Sequence, residues 1–203
     1  MTDDMTLDII REVVNIGIGD AASALSVLIN SRVSIKVPDI HILNTPEASA
    51  FIQQEIGSLG IYIAQDFQGV FRGKALLFYS KKSCSALLNA ITGDISIASA
   101  MTETAMATLQ EIGNIIMVSC ITTISNMLED TVEFQVPDVT LEISENYFKN
   151  LVKGHESLDK TIIVRNQMVI QDKEIEGYFI ILLSYDDFLL LIEKMAEKIM
   201  KQS

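Results

Sequence analysis

Residues 11–16 read Arg-Glu-Val-Val-Asn-Ile, and residues 110–115 read Gln-Glu-Ile-Gly-Asn-Ile. Glu12, Asn15 and Pro38 return as Glu111, Asn114 and Pro137, 99 positions later each time. The prolines lie in matching triplets, Val37-Pro38-Asp39 and Val136-Pro137-Asp138. Farther along, Gly73 and Ser80 return as Gly177 and Ser184, now 104 positions later, so about five residues were added to the second copy between Pro137 and Gly177. Unrelated segments do not keep such an order. The chain is an internal duplication of two halves, about 1–97 and 98–203.

Each half carries the same pattern of elements. Apolar residues at helical spacing predict a long helix over about 3–30 and again over 101–129. Alternation around each Val-Pro-Asp predicts a strand region, with proline at a bulge or edge because it has no ladder donor. A short helical piece follows at about 46–56 and 145–153. Strand pairs are expected at 60–67 with 70–79 and at 160–169 with 174–184. Gln68-Gly69 is the stronger hairpin signal, and Gln171-Asp172-Lys173 the weaker. A closing helix ends each half, at 81–92 and 185–201. The expected fold is α/β of the α+β kind: a pseudo-two-fold duplicated domain of about six mainly antiparallel strands. Two long motif-bearing helices and several shorter ones cover it. No Pro-, Gly- or Ser-rich linker separates the halves, so residues 1–203 are expected to form a single domain.

Composition bounds the chemistry. Of 203 residues, 49% are apolar, enough for a sizeable core, and the net charge is −12. Such acidity argues against nucleic acid and against anionic membrane surfaces, which both require basic patches. Cys84 and Cys120 form no CxxC pair and sit in apolar helical stretches, as expected of reduced cytosolic thiols. The start, Met1-Thr2-Asp3-Asp4, is acidic where a signal peptide is basic. The apolar runs near the end, Tyr178 to Leu183 and Phe188 to Ile192, are too short for a membrane span of about 20 residues. A soluble, cytoplasmic protein is expected.

Chemistry-bearing residues concentrate on the two long helices. At 100° per residue, Asp8, Glu12, Asn15, Gly19, Ser23, Ser26 and Asn30 share one face, with Ile10, Val13, Val14, Ala21, Leu25 and Leu28 on the other. The second helix places Ala107, Glu111, Asn114, Val118, Thr122 and Ser125 on the equivalent face, opposite Leu109, Ile112, Ile116, Cys120 and Ile124. A Glu and an Asn one turn apart are most often plain solvated surface. Their recurrence at the same place, with Asn a mediocre helix former, sets them apart. The rest of the inventory is thin: His41 and His155 are unmatched between halves, Gly17-Ile18-Gly19 reads as close packing, and the methionines read as core filler. There is no nucleophile elbow, phosphate loop or metal-binding helix signature, so metal ligands are expected to be none.

The pattern Asp/Ser-x3-Glu-x2-Asn-x22-Pro resembles that of the CheC, CheX and FliY family of chemotaxis phosphatases. The first half matches in full with Asp8, Glu12, Asn15 and Pro38. The second matches at Glu111, Asn114 and Pro137 but has Ala107 in place of Asp or Ser. Two copies fit the CheC arrangement better than single-motif CheX, and the length leaves no room for the added motor domain of FliY.

The resemblance implies hydrolysis of the aspartyl phosphate of a response regulator, phosphorylated CheY, and often binding of CheD. It further implies that Asn15 and Asn114 position the in-line water and that Glu12 and Glu111 dock and orient the partner, with Asp8 in support of the first site. Such chemistry needs no cofactor of the chain's own, because the response regulator brings magnesium and a lysine. The carboxamide serves as donor and acceptor without titrating. The alternative is a weakly catalytic adaptor that binds CheD or phosphorylated CheY. Ala107 marks the second site as the incomplete one, and Val14, where the second copy has Gly113, is expected to matter little.

Overall fold

The computed structural model describes residues 3–55, 59–93, 102–143, 147–148, 150–151 and 157–202. Among these, the first half forms α1 (Asp3–Leu28), β1 (Val33–Asn44), α2 (Thr45–Glu55), β2 (Leu59–Gly69), β3 (Gly73–Ser80) and α3 (Lys81–Thr92). The second forms α4 (Glu103–Met127), β4 (Val132–Phe134), β5 (Asp138–Ile143), β6 (Lys160–Ile170), β7 (Lys173–Leu183) and α5 (Tyr185–Gln202). The order matches the repeat. The strand count is seven because the second Val-Pro-Asp splits its strand into β4 and β5, whereas β1 runs through the first. Tyr147, Phe148 and Leu151 are helical where a short helix was expected over 145–153; the remainder of that stretch lies partly outside the described residues.

All seven strands join one antiparallel sheet, ordered β1-β6-β7-β3-β2-β4 with β5 also on β2. The halves do not each keep their own strands. β1 pairs with β6 of the second half (Val33↔Ile170 to Asn44↔Lys160), and β4 and β5 pair with β2 of the first. The β3–β7 ladder closes the middle (Gly73↔Leu183 to Tyr79↔Gly177).

Two core layers follow from the strand alternation. On one face, Ile61, Ile63, Phe67, Ile162, Val164 and Met168 pack under α1, α3, α4 and α5. On the other, Tyr62, Phe78, Ile163 and Ile180 pack against Ala48 and Ile52 of α2 and against Phe148. By length and composition α4 is apolar enough to cross a membrane, but Leu109, Ile112, Ile116, Met117 and Ile121 are all buried in the core. The repeated serines at the strand ends are helix caps: Ser80 Oγ accepts from Ser83 N at 3.0 Å and Ser184 Oγ from Asp187 N at 3.1 Å. Both cysteines are buried free thiols, and burial pushes that of Cys84 up to about 12.

Several details differ from the sequence reading. Gln68 and Gly69 still belong to β2, opposite Glu133 and Val132, because β4 extends the sheet there. The weaker of the two signals marks the tight turn: Gln171 and Asp172 have φ of 49° and 64°, the left-handed pair that a two-residue hairpin requires. Asn30 lies beyond α1 at φ 48°, and Leu28 is half exposed. Ser26 and Ser125, read as solvent-facing, tie each long helix to the chain that follows. Ser26 Oγ accepts from Val33 N at 2.9 Å, and buried Ser125 donates to Asp130 O at 2.7 Å.

The long helices meet where sequence expected close packing. A Cβ on Gly17 would lie 2.8 Å from Cys120 Cα, inside any real contact distance, so α1 and α4 touch backbone to backbone. Asp20 accepts from Thr123 Oγ1 at 3.0 Å across the same contact. Gly17→Val must push the helices apart, and overpacking of this kind costs about 1–3 kcal/mol. Urea unfolding is expected to show a lower midpoint with an unchanged slope.

Candidate functional site

On α1, Val13, Val14 and Ile18 are buried while Asp8, Glu12 and Asn15 are exposed, as the 3.6-residue period dictates. Asp8 stands 3.8 Å from Arg11 Nη1, one turn on, and both side chains are solvated. Such a pair contributes little, about 0–1 kcal/mol. The polar stripe of the first half is therefore open surface, flanked by Ile16, itself 40% exposed.

The second half builds more around the same residues. Glu111 is exposed and Asn114 half-buried, on a helix drawn closely onto the sheet. Gly113 permits this: a Cβ there would lie 2.5 Å from Ile63 Cγ2 of β2. The difference between Val14 and Gly113, expected to matter little, accompanies a helix set low enough for Asn114 to touch the sheet. Asn114 Oδ1 accepts a hydrogen bond from Gln65 Nε2 of β2 at 3.0 Å.

Gln65 is 2% exposed and also donates to the backbone carbonyl of Gln135 at 2.8 Å. Gln110 of α4 donates to the carbonyl of Pro137 at 2.6 Å. These two carbonyls come from the break between β4 and β5, where proline ends the regular ladder. The motif proline therefore acts structurally, turning the chain aside so that residues 134–137 form a wall. Wall, Gln65 and α4 enclose an open cleft of about 390 Å³, with Glu111 and Asn114 in its lining. Ala107 lines the same cleft, where its small side chain leaves room. Val136 lines the same cleft and is 79% exposed.

The Pro38 break faces a partial counterpart to Gln65 on β6. In β2, Gln65 lies between Ala64, paired with Asp138, and Phe67, paired with Phe134, and so faces the proline break. In β6, Asn166 lies between Arg165, paired with Asp39, and Gln167, paired with Lys36, where the register shifts around Val37-Pro38. Asn166 is 3% exposed, on the same sheet face as Val164 and Met168. Each proline break thus has one buried carboxamide behind it, supplied by the opposite half. A signal for both was present in the sequence: a polar residue at an inward position of an alternating strand, Ile61-Ile63-Gln65-Phe67 and Val164-Asn166-Met168.

The carboxamide geometry is determined by its acceptors. A backbone carbonyl only accepts, so Gln65 must turn its NH₂ toward Gln135 O. The same NH₂ then meets Asn114 Oδ1, leaving the Nδ2 hydrogens of Asn114 free of this bond. Gln65 Oε1 remains buried with no donor among the described residues, a cost of about 1–3 kcal/mol that an aliphatic residue there would not incur. Buried polar groups left unpaired are few in folded proteins.

Comparison with known proteins places these residues in context. The profile of the CheC-like family matches residues 5–42 and 105–141, the two segments that hold the long helices and the prolines. The CheY-P phosphatase CheC of Bacillus subtilis is 25% identical over 190 residues, covering 90% of each chain. FliY of Thermotoga maritima shares the fold at a TM-score of 0.77 and 19% identity, covering 98% of each chain. FliM from an H. pylori FliG–FliM complex shares it at 0.67 and 13%, covering 94% of this chain and 100% of that one. Duplicated motif, fold and profile agree in likening the chain to the CheC-like family.

Proposed function

We propose that the chain removes the phosphoryl group from the phosphorylated aspartate of a response-regulator receiver domain of the CheY kind, in the cytoplasm. The observation that supports this most is Asn114, anchored to Gln65 in a cleft beside the exposed carboxylate of Glu111. A carboxamide and a carboxylate form a poor hydrolase by themselves. They suffice where the partner contributes an activated acyl phosphate, a magnesium ion and a lysine. The B. subtilis relative bears the name of that activity.

In this reading Glu12 and Glu111 pair with a cation on the receiver domain and fix its orientation. Asn15 and Asn114 hold a water in line with the phosphorus. The water oxygen bonds to phosphorus and the bond from phosphorus to the aspartyl oxygen breaks. The carboxylate leaves with the bonding pair, and a water proton passes to a phosphoryl oxygen, giving inorganic phosphate. Exposed Val136 at the cleft edge offers the partner an apolar contact.

Replacing Asn15 and Asn114 together by Ala is expected to lower phosphate release from phosphorylated CheY by about 10²-fold, toward the receiver's own rate, since misplacing the reacting atom costs about that much. An unchanged rate would overturn the proposal, and co-purification with CheD without turnover would mark the chain as an adaptor. Replacing Glu12 and Glu111 together by Gln is expected to raise KM by about tenfold with kcat changed far less, because docking precedes the chemical step. Stopped-flow measurements at several CheY concentrations separate the two.

A further inference from the structure

We infer that Gln65 is a positioning residue for the second site, fixing which way the Asn114 carboxamide faces and so making this site the better preorganised of the two. The inference deepens the proposed phosphatase reading and rests on it for its kinetic consequence. Its geometric part stands on the hydrogen bonds alone.

The Gln135 carbonyl fixes Gln65, and Gln65 fixes Asn114, through donations of 2.8 Å and 3.0 Å from the same NH₂ group. No member of the chain titrates, so the orientation holds across the pH range in which the fold persists. With Oδ1 held by the sheet, Asn114 has its Nδ2 hydrogens available to a water or phosphoryl oxygen in the cleft. Preorganised donors of this kind need no reorganisation when charge develops.

The first site lacks this arrangement. Asn15 is exposed and makes no hydrogen bond to another described side chain, and the buried carboxamide behind the Pro38 break, Asn166 of the opposite half, is one methylene shorter than Gln65. The site that departs from the motif at Ala107 is therefore the one in which the catalytic carboxamide is held.

The test uses the full chain with Asn15→Ala, so that turnover reports the second site. Gln65→Met keeps the volume and removes both bonds. It is expected to lower kcat about tenfold with KM within about twofold, the signature of lost orientation rather than lost binding. Gln65→Glu is expected to be worse, because a carboxyl oxygen there accepts from the Asn114 NH₂ and turns the amide around. The loss caused by Gln65→Met should disappear once Asn114 is already alanine, as a double-mutant cycle between coupled groups requires. An equal loss with and without Asn114, or a change confined to KM, would overturn the assignment.

Side-chain amide NMR supplies a readout that does not depend on turnover. Gln65→Met should shift the Asn114 NH₂ signals and leave those of Asn15 in place. Unmoved Asn114 signals would refute the positioning even in an active phosphatase. Shifted signals in a chain without phosphatase activity would instead refute the proposed function and leave the Gln65–Asn114 link standing.

Discussion

The exchange of first strands between the halves governs the rest of the molecule. β1 finds its ladder on β6 and not on β2, and β4 and β5 find theirs on β2 and not on β6. Neither half can complete its sheet without the other. Each long helix immediately precedes an exchanged strand, and both pack over the same face, touching at Gly17 and Cys120. The polar stripes of α1 and α4 then have nowhere to go but outward. A duplicated motif is thus presented as two separate surfaces by the hydrogen-bonding of strands that carry no chemistry themselves.

The proline of each motif adds a second constraint. An unpaired carbonyl inside a protein must find a donor, and the break at residues 135–137 exposes two that Gln65 and Gln110 satisfy. Satisfying them places a donor beneath Asn114 and a wall beside it. Spacing of 22 residues between Asn and Pro is what brings the far side of the site to the helix. The copies have diverged in how fully they use this. Gly113 and Gln65 draw the second helix and its Asn onto the sheet, whereas Val14 and Asn166 occupy the corresponding region of the first.

The repeat made most of the fold legible in the sequence, because two noisy patterns that agree are stronger than either alone. Most of the helix faces and the element order within each half could be read from the repeat of Pro38 and Pro137, of Ser80 and Ser184, and from the apolar periods. Strand exchange could not, since intra-half and inter-half pairing satisfy the same alternation. The second hairpin turn was placed rightly at Gln171-Asp172, but its strength was underrated because both adopt positive φ without glycine, while Gly69 resembles a turn residue and yet stays in β2. At the candidate site, the motif pointed to Glu12, Asn15, Glu111 and Asn114, but Gln65 lies 49 residues from Asn114 along the chain and was visible only as a polar break in a strand. Ala107 drew attention to what the second site lacks, and the packing at Gly113 shows what it has gained.

The measurement that bears most directly on this account is phosphate release from phosphorylated CheY by the two single replacements, Asn15→Ala and Asn114→Ala. Two separate and unequal sites predict that each lowers the rate, that Asn114→Ala removes the larger share, and that the two losses together account for the whole. Full activity in both single variants, or a larger loss from Asn15→Ala, would contradict it.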